Sequence, residues 1–239
     1  MPADLFDTQL LKLRRERAAR AGGDRFLHER AFTDCLERIA LVPRRFERAL
    51  LLGCVDAGWP ERLRQYAGRV DVDEIAATHD LCLSVGTLDT ANDLPSALAA
   101  LRSVLNPDAF FIGALAGGDT LPQLRSAMRA ADSVQGGSVP HVHPRIEASA
   151  LGSLLAAAGF INPVVDVDRV RASYSSLGDL VRDLRSMAAT NVLHERPRRP
   201  LSRAARDAAS AAFASAGRDG RTVETFEILH FAAWTPPPQ

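Results

Sequence analysis

The sequence predicts an α/β fold built on a doubly wound, mostly parallel sheet, and three features of one stretch predict it. Leu81-Cys82-Leu83-Ser84-Val85 is a short apolar run with the composition of a buried strand. Leu94, Leu98, Leu101 and Val104/Leu105 then recur at three- and four-residue steps, the spacing of an amphipathic helix. Asn106-Pro107-Asp108 breaks that helix, and Ala109–Leu115 supplies a second apolar run. Strand, helix and strand make a βαβ crossover. Ligands of such sheets sit at the carboxyl ends of the strands, here Ser84–Asp93 and Ala116–Thr120.

Size and composition narrow the classes. A chain of 239 residues fits one α/β domain with decorations. Basic and acidic residues number 29 each, so no net field draws in nucleic acid, and none is expected as a partner. Cys35, Cys54 and Cys82 show no CxxC spacing and are expected to be reduced thiols in a cytoplasmic protein. No apolar run is long enough to span a bilayer. The first twenty or so residues are Arg-rich and amphipathic like a transit peptide, but Asp4, Asp7 and Glu16 favour a place in the fold.

The motifs carry a resemblance. Asp80-Leu81-Cys82-Leu83-Ser84, with Leu98, Leu101-Arg102 and Leu105-Asn106-Pro107-Asp108-Ala109, resembles the fourth strand, helix and fifth strand of class I S-adenosylmethionine-dependent methyltransferases. GGDTLPQLR (Gly117–Arg125), HPRIE (His143–Glu147) and LLAAAGFINPVVDVDRV (Leu154–Val170) resemble one branch of that family. It is the branch of the methyltransferase-like assembly factor of respiratory complex I and its alphaproteobacterial relatives. The likeness runs from Leu5 to Trp234. It implies a Rossmann-like class I methyltransferase fold in one domain over residues 1–239. Residues 1–47 would form an N-terminal helical cap, 48–120 the core, and 121–239 helical decorations with C-terminal antiparallel strands.

Taken in order, Asp7–Arg20 and Phe26–Ile39 read as helices, with Arg14, Arg15, Arg17 and Arg20 forming a solvated face of the first or, as the lesser reading, a basic face for an acidic partner. Ala49–Leu52 is the first strand, and Trp59-Pro60 starts the next helix. Between them the resemblance calls for an acidic-x-G-x-G-x-G turn, whose glycines let backbone approach the cofactor. Leu51 stands at the acidic position, Gly53 matches, Val55 and Ala57 replace glycines, and Gly58 comes one place late. The resemblance also implies a second strand with a ribose-binding acid, then a helix and a third strand. Arg69–Glu74 supplies a short strand with Asp71 and Asp73, either ribose ligands or solvated carboxylates. Only Ile75–His79 remains before Asp80, whereas a helix and strand need roughly fifteen residues. The fold is therefore predicted to be abbreviated by one βα unit.

Beyond the crossover, Thr120-Leu121-Pro122 reads as a helix start with threonine as cap, the helix running over Leu121–Asp132. Ala148–Ala158 is a helix ending at Gly159. Phe160–Val167 reads as a strand, with Asp168–Ser173 starting its antiparallel partner. Leu177–Ala189 and Ser202–Ala216 are helices, His194–Pro200 a basic linker-like turn, and Val223–Trp234 a closing strand.

No catalytic triad, Walker motif or paired carboxylates can be identified from spacing, and no catalytic residue is assigned. Around S-adenosylmethionine the resemblance places Gly53, Asp56, Gly58, Asp71, Asp73, Ser84, Gly86 and Thr87, with binding weakened or lost. Asp89, Asn92, Asp119, Thr120, His141, His143 and Arg145 are substrate-pocket candidates. Asn92 and Asp93 equally suit a helix cap, and the polar groups at the strand ends equally satisfy turns. His141 and His143 alternate, but only Glu147 lies near as a further ligand, so no metal is expected. Three functions are consistent with the resemblance. The first is a methyltransferase acting on a small molecule or a protein. The second is a non-catalytic assembly or scaffolding factor with a protein partner. The third, with no residue signature of its own, is a protein-arginine hydroxylase. An incomplete sheet leaves an edge that a second copy of the chain could cover.

Overall fold

A computed structural model describes residues 4–75 and 77–238. Two helices come first, α1 (Thr8–Ala21) and α2 (Phe26–Ala40). Asp7 caps α1, its Oδ1 accepting from the Leu10 N–H at 2.9 Å. The sheet begins with β1 (Phe46–Leu52), α3 (Trp59–Leu63), β2 (Ala67–Val72) and β3 (His79–Val85). After the 3₁₀ turn Leu88–Thr90 come α4 (Leu94–Ser103) and β4 (Leu105–Ala116). The chain continues through α5 (Pro122–Gln135), α6 (Ala148–Ala157), β5 (Ile161–Tyr174), α7 (Leu177–Ser186), α8 (Arg203–Ser215) and β6 (Thr222–Trp234).

Six strands form one sheet in the order β2-β1-β3-β4-β6-β5. The pairs β1–β2, β1–β3 and β3–β4 are parallel, and β4–β6 is antiparallel. This is the Rossmann-like α/β class that the sequence predicts. The abbreviation is present as well. Among the described residues no helix or strand stands between Val72 and His79, so β2 is left at the edge of the sheet.

The chain divides into two compact units. One consists of Phe26–Gly117, Ile146–Asp168 and Ile228–Gln239. The other consists of Met1–Arg25, Gly118–Arg145 and Arg169–Glu227. In the first unit Leu98, Leu101, Leu151 and Leu155 bury one helical face against Leu50, Cys82, Phe111 and Phe231 of the strands. The Phe111 ring lies 4.9 Å from both Phe160, tilted, and Phe231, edge-on. Each such side chain contributes on the order of 2 kcal/mol through burial. Gly113 of β4 makes the close packing possible, since a Cβ there would lie 2.3 Å from the Ser84 carbonyl oxygen. Burial pushes the Cys35 and Cys82 thiols well above their usual range, which leaves both unreactive.

Three elements differ from expectation. β4 starts at Leu105 rather than Ala109, because the chain beyond β6 pairs with this proline-containing segment. Thr235 Oγ1 donates to the Asn106 carbonyl at 2.6 Å and accepts from the Ala109 N–H at 2.7 Å. Asp108 takes φ +55° and donates to the Pro236 carbonyl at 3.0 Å. The expected strand pair within Phe160–Ser173 is the single strand β5, as no turn-forming residue interrupts Val167-Asp168. The cap of α5 is not Thr120. Leu121 occupies that position with φ +63°, and the Glu224 carboxylate accepts from the Gln123 and Leu124 N–H groups at 3.2 and 2.8 Å.

Charged groups pin the first strands together. Asp80 accepts from the Glu47 and Arg48 N–H groups, both at 2.8 Å, which ties the start of β3 to β1. On β2, Asp71 meets Arg48 Nε at 2.6 Å, Arg69 Nε at 3.0 Å and His79 Nε2 at 3.0 Å. The Arg48 hydrogen bond, with those of His79 and Arg69, outweighs burial and holds the Asp71 carboxyl far below its usual range. A carboxylate depressed on folding stabilises above its unfolded pKa of about 4, and that stabilisation is lost as pH falls towards the folded value. Asp71→Asn is therefore expected to cost about 2 kcal/mol at pH 7. In urea unfolding the gap to the unsubstituted chain should shrink at pH 3; a gap independent of pH would contradict the role assigned to this charge.

Candidate functional site

The carboxyl ends of β1 and β3 gather five of the residues that the sequence singles out. Gly53 leaves β1 with φ +79°, and a Cβ there would lie 2.2 Å from the Val85 carbonyl oxygen and 2.6 Å from Thr87 Cγ2. Its N–H donates to Asp73 Oδ1 at 2.8 Å. Asp73 has φ +52° and its own N–H donates to the Leu51 carbonyl at 2.9 Å. Ser84 and Thr87 share a hydrogen bond between hydroxyls at 2.7 Å. Gly86, at φ +64°, donates to the Ala114 carbonyl at 3.0 Å, and a Cβ there would meet His28 Nε2 at 3.1 Å.

The other candidates of this unit stand apart from that group. Asp56 Oδ1 accepts from the Gly58 N–H at 2.7 Å, closing the turn before α3. Asp71 belongs to the ion-pair cluster on β2. Asp89 lies in the 3₁₀ turn, and Asn92 precedes Asp93. Asp93 caps α4, accepting from the Ser96 N–H at 2.9 Å and the Ser96 hydroxyl at 2.6 Å, so the capping alternative holds for it.

This arrangement fits S-adenosylmethionine only in part. Gly53 survives at the position where the chain's own Val85 carbonyl fills the space a side chain would take. The two glycines that would let a ligand approach are Val55 and Ala57. The Gly53 amide, a donor a ligand carboxylate could use, is already held by Asp73. Among the described residues no third strand walls the adenine side. Gly53, Asp73, Ser84, Gly86 and Thr87 are the groups that would line what remains.

The second unit contains a cavity of about 560 Å³. His141, His143 and Arg145 line it, while Asp119 and Thr120 do not. His141 Nε2 sits 2.8 Å from Asp132 Oδ1. Buried His143 accepts from the Val192 N–H at Nε2 (2.9 Å), and Phe6 packs edge-on against its ring at 5.2 Å. Thr120 is buried and exchanges hydrogen bonds with the Glu227 backbone, both at 3.0 Å. Asp119 pairs with Arg169 at 3.2 Å, and Arg169 also reaches the carboxylate of Glu227 at 3.0 Å.

Sequence reasoning missed the two buried glutamates, Glu224 and Glu227, although acidic residues in an otherwise apolar closing strand were the available signal. Burial pushes the Glu224 carboxyl up, against the three backbone N–H groups that favour its charge. Arg14 is not on a solvated face. It lines the cavity with Arg196, which comes from the supposed linker turn. No local pattern joins residues so far apart in sequence.

No protein-family model matches the chain. It is 38% identical over 163 residues to the mitochondrial arginine-hydroxylase NDUFAF5 of Danio rerio, covering 66% of this chain and 50% of that protein. The human NDUFAF5 is 30% identical over 221 residues, covering 79% and 64% respectively. A malonyl-[acyl-carrier protein] O-methyltransferase of Laribacter hongkongensis is 32% identical over 184 residues, covering 73% and 60%. The chain thus spans half to somewhat under two thirds of the length of these relatives. Among solved structures, the YcgJ protein of Bacillus subtilis superposes with a TM-score of 0.52 at 10% identity, over 86% of this chain and 100% of that one, a likeness of fold alone.

Sheet order, strand-end turn and relatives together define a class I methyltransferase-like protein. By sequence the chain is a homologue of the NDUFAF5 proteins and of the malonyl-[acyl-carrier protein] O-methyltransferases.

The Gly53 contact sets a testable requirement. Gly53→Ala is expected to cost about 3 kcal/mol, because the positive φ and the Val85 carbonyl both oppose a Cβ. Thr87→Ala should not rescue it, since the carbonyl remains. A fully stable Gly53→Ala variant in chemical denaturation would refute the close approach.

Proposed function

We propose that this chain is a methyltransferase-family protein with weakened S-adenosylmethionine binding that works as an assembly or scaffolding factor. The observation that carries this reading is the occupied strand-end turn. Asp73 takes the Gly53 amide, and Val85 fills the space beside it. Kinship to NDUFAF5 proteins supports a role in which a protein partner is held. A respiratory complex is the kind of assembly it would serve. No helix among the described residues is long and apolar enough to cross a membrane.

A second reading, methyl transfer from S-adenosylmethionine, is favoured by one observation. Gly53 and Gly86 both keep left-handed backbone at the ends of adjacent strands, where α/β folds bind their ligands. In this reading the substrate is a small molecule or a protein group, as the name of the malonyl-[acyl-carrier protein] O-methyltransferase relatives suggests.

Calorimetric titration with S-adenosylmethionine and S-adenosylhomocysteine separates the two, once mass spectrometry shows that neither co-purifies. The expected outcome is no binding up to about millimolar concentration, equivalent to less than about 4 kcal/mol. Micromolar binding would overturn the first reading in favour of the second. The holding role has its own check in membranes of a deletion strain resolved by native electrophoresis. Loss of an assembled respiratory complex supports it, and an unchanged complex rejects it.

A further inference from the structure

The cavity of the second unit carries an electrostatic signature that the fold does not use. Its lining includes five arginines, Arg14, Arg145, Arg185, Arg196 and Arg206, and no aspartate or glutamate. Some of these groups are fixed in place by the protein. Arg14 Nη1 donates to Thr190 Oγ1 at 2.7 Å and to the Asn191 carbonyl at 2.5 Å, both uncharged acceptors. Arg196 is held by the Leu193 carbonyl at 2.7 Å and by Asp7 at 3.0 Å. Arg185 and Arg206 have no acidic partner among the described residues. Burial lowers the Arg14 pKa, and repulsion from Arg196, Arg17 and Arg185 lowers it further, although Asp7 opposes this.

The lining also includes apolar side chains of α5 and of α7, the helix that carries Arg185. Leu124 and Met128 of α5 face the cavity with Val181 and Leu184 of α7. Guanidinium groups converging on a carboxylate or phosphate form short, charge-assisted hydrogen bonds, often bidentate. Volumes of several hundred Å³ suit small-molecule ligands. A cavity lined by five arginines, no carboxylate and several hydrocarbon side chains suits a ligand with both an anionic end and an apolar body.

We propose that this cavity binds an anionic amphiphile, with a carboxylate or phosphate headgroup against the arginines and a short apolar body against α5 and α7. The site disfavours cations, the arginine side chain included. It goes beyond the assembly reading and does not depend on S-adenosylmethionine, so the calorimetric result leaves it untouched.

The test uses a matched pair of fluorescent probes on the full chain. 1-Anilinonaphthalene-8-sulfonate and N-phenyl-1-naphthylamine share an aromatic body, and only the first carries a charge. The anionic probe is expected to bind at least about tenfold tighter, with affinity falling as salt rises. Octanoate or octyl phosphate should displace it, and the stronger of the two identifies the headgroup. Octylguanidinium should not displace it. Arg185 and Arg206 are exposed, so R185E/R206E is expected to keep the melting temperature while weakening the anionic probe at least about tenfold. Equal binding of both probes, displacement by octylguanidinium, or unchanged affinity in the folded double variant would each overturn the proposal.

Discussion

The region around the strand ends depends on how closely the chain can approach itself between Gly53 and Val85. A Cβ on Gly53 would sit 2.2 Å from a backbone carbonyl that has nowhere to go, because it belongs to a strand buried between two neighbours. That contact fixes where β1 turns and how near Thr87 comes. It also brings the Gly53 amide within 2.8 Å of Asp73. Glycine motifs serve two masters, the packing of the chain and the approach of a ligand. This chain keeps the glycine that packing needs, while Val55 and Ala57 stand at the positions a ligand would need. The distinction is steric and does not depend on knowing the ligand.

Much of this was legible in the sequence, for reasons that differ from element to element. The run from Asp80 to Leu115 announces itself by period and by length, and the structure follows it closely. The absent βα unit was legible by arithmetic, since too few residues separate Val72 from His79 to make a helix and a strand. Proline at 107 misled because its local preference gives way to partners far along the chain, Thr235 and Pro236. Threonine at 120 misled for the same reason. Its hydroxyl is taken by the Glu227 backbone, and a glutamate on β6 supplies the cap of α5. The cavity was legible only in fragments. His141, His143 and Arg145 stood out, but Arg14, Arg185 and Arg206 look like ordinary helix-surface residues until folding brings them together.

Charge is distributed unevenly although its sum is zero. On β2 one carboxylate is surrounded by three basic groups. Below α5 two carboxylates lie buried in β6, one held by backbone amides and the other by Arg169. Around the cavity the balance tips the other way: Arg196 meets the Asp7 carboxylate, but Arg14 is held by neutral oxygens that orient it without neutralising it. Orientation without neutralisation is what keeps a group available to a partner from outside.

The antiparallel pairing of β4 with β6 has a consequence for how the protein is made. Phe110–Ala114 is covered on one side by β3, its near neighbour in sequence, and Phe110–Ala116 on the other by residues Ile228–Trp234. Between those two arrivals the ribosome must synthesise α5, α6, β5, α7 and α8. For that interval the nascent sheet carries an open apolar edge in its middle, the kind of surface that invites aggregation and holdase chaperones. Non-local pairing of this sort is also slow. Pulsed hydrogen exchange during refolding should therefore find the Phe110–Ala116 amides that face β6 among the last to gain protection. Early protection there would place closure of the sheet ahead of the helices.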